Sequence, residues 1–229
     1  MSDPARYVSR GGLKLEAAIK AFDLDLHDAV CADLGASTGG FTHCMLEAGA
    51  RRVYAVDTAY GVLAWPLRRD ARVTVFERTN VLHFDPRGWS DFPGCDLVCL
   101  DLGWTRQALA IPAALQWLRP AETGGGVAAQ RQGRIVTLIK PHYEAGAIAW
   151  ANPPRATAHG RGRRRRGVLD DGEAEAVLRA VLETMAPLGV TVLGTVESPI
   201  RGGGRRGRGQ GNREFLALLA PGKVERGKV

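Results

Sequence analysis

No apolar run in this chain of 229 residues approaches the roughly 18 to 20 residues that a membrane span requires, and the opening stretch MSDPARYVSR has no apolar core of the kind a secretory signal carries. A cytoplasmic protein is therefore expected. Cysteine is sparse and unpatterned: Cys31, Cys44, Cys95 and Cys99 form no CxxC pair, and three of them fall in apolar segments that read as strands. Buried free thiols follow, rather than a metal site or a disulfide framework. No period of fixed length repeats along the chain, which excludes solenoids, and no stretch reads as a domain linker. One domain spanning 1–229 is the expectation.

Lysine is also in short supply. Of 31 basic residues only five are lysine (Lys14, Lys20, Lys140, Lys223 and Lys228), and the formal net charge is +7. Six arginines and no acid lie between Arg155 and Arg166, and four more without an acid between Arg201 and Arg208. These ten exceed the whole net excess of positive charge. Such tracts are what a polyanion-binding surface looks like, and nucleic acid is the expected partner.

Along the chain, strand and helix patterns alternate. Val8 to Phe22 has helical periodicity, followed by a strand at Ala29 to Leu34, a glycine-containing loop and a helix from Phe41 to Ala48. Further strands are predicted at Arg51 to Asp57, Arg72 to Glu77, Cys95 to Asp101, Arg134 to Lys140, Val190 to Val196 and Arg213 to Leu219. Helices are predicted at Gly61 to Arg69, Thr105 to Leu118 and Asp170 to Ala186. Ala121 to Gly133, Trp150 to Gly167 and Gly202 to Gly211 read as loops. The alternation argues for a largely parallel sheet covered on both faces, with an antiparallel pair at one edge because only a loop joins the last two strands.

In such a sheet ligands bind beyond the carboxyl end of the first strand. Here that place is occupied by Asp33, Leu34, Gly35, Ala36, Ser37, Thr38, Gly39, Gly40, Phe41 and Thr42. Its glycines let the backbone approach a ligand, and Asp57 ends the second strand where an acid would accept hydrogen bonds from ribose hydroxyls. A nicotinamide dinucleotide calls for GxGxxG, whereas this loop reads GxxxGG, and no GK[ST] phosphate loop is present. A ligand with adenine and ribose but no pyrophosphate fits better; S-adenosylmethionine is one. Asn80, after the third strand, would lie near the adenine by topology, with Thr79 and Asp85 as competitors.

The strings YVSRGGLKLE (7–16), DLGASTGGFT (33–42), VYAVDTAYG (53–61), ERTN (77–80), IKPHYEAG (139–146), SPI (198–200) and GNREFL (211–216) resemble the TlyA, or haemolysin-A-type, branch of the FtsJ-like RNA 2′-O-ribose methyltransferases, in the family's order and over nearly the whole chain. The resemblance implies a Rossmann-like class I methyltransferase fold: a mostly parallel seven-stranded sheet with an antiparallel edge strand and helices on both faces. It implies S-adenosylmethionine as cofactor and S-adenosylhomocysteine as product. Its RNA partner would be ribosomal RNA or a ribosomal particle. It also implies a Lys, Asp, Lys, Glu set at Lys14, Asp101, Lys140 and Glu214, with Lys140 as base. Asp33, Gly35, Ala36, Ser37, Thr38, Gly39, Gly40, Phe41, Asp57, Asn80 and Asp101 would surround the cofactor; no metal is implied.

The chemistry asks for the same groups. A ribose hydroxyl is a poor nucleophile, so its proton must be removed as the methyl carbon is attacked in line. A lysine can do this if burial and a neighbouring cation favour its neutral form; arginine cannot. A chain so committed to arginine nevertheless places lysine at both positions.

The pattern departs from the family in two places. Relatives carry an N-terminal RNA-binding S4 domain before YVSRGG, which this sequence is expected to lack, and a DVSF-like string where this chain has Asp101-Leu102-Gly103-Trp104. The two Arg-rich insertions, at about 151–167 and 201–211, are expected to serve as an electrostatic RNA clamp in place of that domain. Trp104 and Trp150 could stack on a base, but packing in the core or at the rim is the expected place for each. A small-molecule methyltransferase of the same fold, and a non-catalytic protein that binds RNA or S-adenosylmethionine, remain the alternatives. A membrane role is not expected, since neither a span nor a strongly amphipathic helix is present.

Overall fold

The computed structural model describes residues 6–90, 92–120, 132–151, 168–202 and 211–222. Strands β1 (Val30–Leu34), β2 (Arg52–Val56), β3 (Val73–Phe76), β4 (Leu97–Leu100), β5 (Arg134–Ile139), β6 (Val190–Glu197) and β7 (Phe215–Pro221) form one sheet. Its order is β3-β2-β1-β4-β5-β7-β6. The first five strands pair in parallel, and β7 runs antiparallel between β5 and β6, so the expected mostly parallel sheet with antiparallel pairing at one side is the one formed. Helices are α1 (Gly11–Ala21), α2 (Gly40–Glu47), α3 (Trp65–Arg68), α4 (Gln107–Leu115), α5 (Pro141–Ala151) and α6 (Asp171–Glu183).

Strands β1 (VCADL) and β4 (LVCL) are buried at every position, because a parallel strand covered on both faces must be apolar throughout. Alternate side chains serve two cores. Cys31, Val53, Ala55 and Val136 meet Leu15, Phe41, Met45 and Leu67 from α1, α2 and α3. Val30, Ala32, Leu34 and Ile135 meet Ile111 and Val181 from α4 and α6. All four cysteines are buried. Helix α6 opens with a capping box: Asp170 accepts the Glu173 N–H at 2.7 Å, and Glu173 accepts the Asp170 N–H at 3.1 Å.

Two elements differ from the sequence expectation. Helix α5 occupies a stretch read as unassigned and then, from Trp150, as loop; its small apolar residues leave no polar face to mark the helical period. The helix expected over Gly61 to Arg69 shrinks to α3, since Gly61 has φ +71° and Ala64 is extended with ψ 136°. The first arginine tract, the side chain of Trp150, and Arg205, Arg206 and Arg208 lie outside the described residues.

Candidate active site

Strand order reverses direction at β1, so a crevice opens between the carboxyl ends of β1 and β4. The loop after β1 is bound into it: the N–H groups of Gly35 and Ala36 donate to the Val56 carbonyl at 2.9 and 3.0 Å, and Ser37 N–H donates to Asp57 Oδ2 at 2.7 Å. Gly35 has φ +94°, and a Cβ there would stand 2.6 Å from the Asp101 carbonyl oxygen; only glycine lets these two strand ends come together. Asp33 is buried below. Its Oδ2 accepts the backbone N–H and the hydroxyl of Thr42 at 2.8 and 2.6 Å, capping the first turn of α2, while Oδ1 is buried with no partner. Burial, aided by Asp101 and Asp57, pushes the Asp33 carboxyl up to about 7 against the pull of the Thr42 hydrogen bonds.

Two adjoining cavities meet at Gly35, Ser37, Asp101 and Lys140. One, of about 440 Å³, is lined also by Asp57, Thr79, Asn80 and Val81. Asp57 Oδ1 accepts the Ala59 N–H at 2.8 Å, and Asn80 Oδ1 accepts the Leu82 N–H at 3.0 Å. Asp85, a competitor for Asn80's place, instead pairs with Arg87 at 2.8 Å. The other cavity, of about 380 Å³, is lined by Lys14, Asp33, Ala36, Thr38, Gly40, Phe41 and Glu214 among others. Gly39 lines neither; a Cβ there would meet Leu67 Cδ1 at 2.3 Å, so it serves packing against α3.

The four residues Lys14, Asp101, Lys140 and Glu214 thus share one cavity. They form two couples: Lys140 Nζ donates to Asp101 Oδ1, and Lys14 Nζ donates to Glu214 Oε2 at 2.5 Å. Each lysine has its own acid, and both ammonium groups are largely buried, with side-chain exposures of 13% for Lys14 and 14% for Lys140. Glu214 is placed by its neighbours: the Ser198 N–H donates to its carbonyl at 2.9 Å, and Gly202 and Asn212 exchange two backbone hydrogen bonds of 2.9 and 2.8 Å beside it.

Several residues near the cavities were not singled out by sequence reasoning. His142 and Tyr143, inside the string IKPHYEAG, line the smaller cavity; burial and Lys140 lower the His142 imidazole against the opposing pull of Glu214. Trp104 is 85% exposed with φ +60° and rests on Tyr143, ring centroids 4.7 Å apart, so it belongs to the rim and not the core. A second exposed group lies on the segments that follow β2 and β3. Tyr60 and Trp65, 68% and 66% exposed, carry the guanidinium groups of Arg78 and Arg69 at 4.3 and 5.9 Å from their ring centroids. The loops beneath are zipped together by Arg78 N–H to Ala59 carbonyl (3.2 Å), Thr79 N–H to Asp57 carbonyl (2.9 Å) and Gly61 N–H to Glu77 Oε1 (2.7 Å). Among the described residues no cluster of His, Cys, Asp and Glu could hold a metal ion, and no helix is long and apolar enough to cross a membrane.

Residues 7–153 match the sequence model of the FtsJ-like methyltransferases. Over 232 aligned residues the chain is 36% identical to the "Putative rRNA methyltransferase YqxC" of Bacillus subtilis, covering 99% of this chain and 70% of that protein. It is 41% identical over 140 residues to the 16S/23S rRNA (cytidine-2′-O)-methyltransferase TlyA of Mycobacterium tuberculosis, covering 61% of this chain and 47% of TlyA. Among solved structures, the "Putative hemolysin from Streptococcus thermophilus" superposes with a TM-score of 0.76 at 34% identity, covering 97% of this chain and 70% of that one.

Proposed function

The chain belongs to the FtsJ-like methyltransferase family, and on that premise we propose that it methylates a ribose 2′-hydroxyl of ribosomal RNA with S-adenosylmethionine as donor. The observation that carries the reading is the pair of lysine–carboxylate couples, Lys140–Asp101 and Lys14–Glu214, in one cavity that opens onto a second at Asp101 and Lys140.

The residues present fit the donor. The cradle at Gly35 has no room for a Cβ, and the unpartnered Oδ1 of Asp33 offers an acceptor to an ammonium group. The Asp57 carboxylate, although it accepts two backbone N–H groups, keeps lone pairs for hydroxyls. When bound, S-adenosylmethionine supplies a methyl group on a sulfonium, which an oxygen nucleophile takes in a single in-line displacement. The chain's part is to hold the hydroxyl and remove its proton. In its amine form Lys140 directs one N–H to Asp101 and its lone pair to the hydroxyl; the proton moves from oxygen to Nζ as the O–CH₃ bond forms. The resulting ammonium lies against the Asp101 carboxylate, which stabilises it. Lys14, fixed by Glu214, is a cationic donor able to orient the acceptor oxygen.

RNA as substrate draws support from the Tyr60–Arg78 and Trp65–Arg69 pairs, since exposed rings capped by guanidinium groups stack on bases and hold phosphates. The test is transfer of radiolabel from S-adenosylmethionine to undermethylated ribosomal particles by the wild type and by Lys140→Ala, with digestion of the product to nucleosides. Label on a ribose 2′-oxygen, reduced by about 10² to 10⁴ in the variant, is the expected result. Label on a base, on a small molecule, or nowhere overturns the reading.

A further inference from the structure

Behind the Lys140–Asp101 couple lies a buried carboxylate with no part in the chemistry above. Glu144, in the first turn of α5 and 6% exposed, accepts the backbone N–H of Gln107, the first residue of α4, through Oε1 at 2.8 Å. Gln107 is itself 5% exposed and bolted to β5: Thr137 Oγ1 donates to its Oε1 at 2.7 Å, and its Nε2 donates to the Leu138 carbonyl at 3.3 Å.

The positions of the bonded turns give this arrangement its meaning. Lys140 immediately precedes α5, and the Tyr143 N–H donates to its carbonyl at 2.9 Å. Asp101 immediately follows β4, and the loop it opens runs through Trp104 into α4. One bond, Glu144 to Gln107, therefore ties the turn carrying the lysine to the helix that ends the aspartate's loop. A second tie, the Trp104–Tyr143 stack, joins the same two segments at the surface. A helix N-terminus satisfied by water or by a serine would be simpler, whereas a carboxylate taken out of water is costly. The cost falls where the spacing of two side chains must be fixed.

We infer that Glu144 is a positioning residue for methyl transfer, which sets the spacing of Asp101 and Lys140 by capping α4 from the first turn of α5. The inference rests on Lys140 acting as base, so the test measures that separately.

Three substitutions separate reach from charge. Glu144→Gln keeps an acceptor oxygen at the same reach and loses the charge; Glu144→Asp keeps the charge and withdraws it by one methylene; Glu144→Ala loses both. Methylation of undermethylated ribosomal particles is followed with S-adenosylmethionine affinity measured in parallel by calorimetry, and Lys140→Ala is run beside them. The expected result is a fall in kcat of about tenfold or more for Asp and Ala, a Gln variant within about threefold of wild type, and cofactor affinity little changed throughout. Wild-type kcat in the Asp variant overturns the inference, as does an equal loss of cofactor binding, which marks a general loss of structure. If Glu144→Ala does not fold, the Asp and Gln pair decides alone. Wild-type transfer by Lys140→Ala refutes the base assignment itself, and the inference with it.

Discussion

Asp33 and Thr42 are joined by two hydrogen bonds on one carboxylate oxygen, and the other oxygen, buried at the edge of the cavity, has none. Folding raises the Asp33 carboxyl from 3.8 to about 7, so between those values the native state holds a proton that the unfolded chain has released, and stability falls as pH rises. A ligand ammonium at that oxygen favours the ionised form. Binding of S-adenosylmethionine should therefore tighten as pH rises through 7, by no more than about tenfold per unit, with release of a proton. Calorimetry in two buffers of different ionisation enthalpy measures both, and Asp33→Asn should abolish the dependence. Affinity independent of pH in the wild type would mean that this oxygen does not meet the ligand's charge.

A Cβ added at Gly202 would stand 1.8 Å from Glu214 Oε1. Gly202→Ala should push the carboxylate off Lys14 and lower kcat by about tenfold or more, while cofactor affinity stays near wild type. Activity equal to wild type would show that the couple tolerates displacement.

The stacked pairs at Tyr60 and Trp65 are exposed and stand outside the cavity that holds both lysine couples. Replacing Tyr60 by Ala and Arg78 by Gln should weaken RNA binding by about 1 to 3 kcal/mol for the missing stacking and leave S-adenosylmethionine affinity unchanged. Filter binding of RNA and calorimetry of the cofactor check the two halves of this expectation.

For the arginine tract, which lies outside the described residues, the expectation comes from charge alone. Replacing Arg163, Arg164, Arg165 and Arg166 by Gln should weaken RNA binding and flatten its dependence on salt, by about 0.7 to 0.9 in logarithmic slope for each phosphate that is no longer neutralised. An unchanged slope would remove the tract from the RNA-binding surface.

The parallel strands were legible because burial on both faces demands unbroken apolar runs such as VCADL and LVCL. Helix α5 was not, since PHYEAGAIAWA has no polar face; the one available signal was a proline directly after a strand, in the position that a helix tolerates best. The loop residues and Asp57 could be placed from topology, but no spacing along the chain relates Lys14 to Glu214, and those positions came from family resemblance. Gly39 was grouped with the ligand loop because the string GxxxGG does not distinguish a glycine facing a cavity from one facing leucines. The stacks of Arg78 on Tyr60 and Trp104 on Tyr143 depend on loops brought together by neighbouring strands, which no local pattern records.

The paired hydrogen bonds between Gly202 and Asn212 close off the intervening chain two residues before Glu214. Lengthening a loop whose ends are so tied costs little, about 0.6 kcal/mol for each doubling. The tie therefore fixes the chain on both sides of the insertion, and the carboxylate that holds Lys14 follows it by two residues. A change in chain length at this point of the sequence and the hold of Glu214 on Lys14 are thus two separate matters.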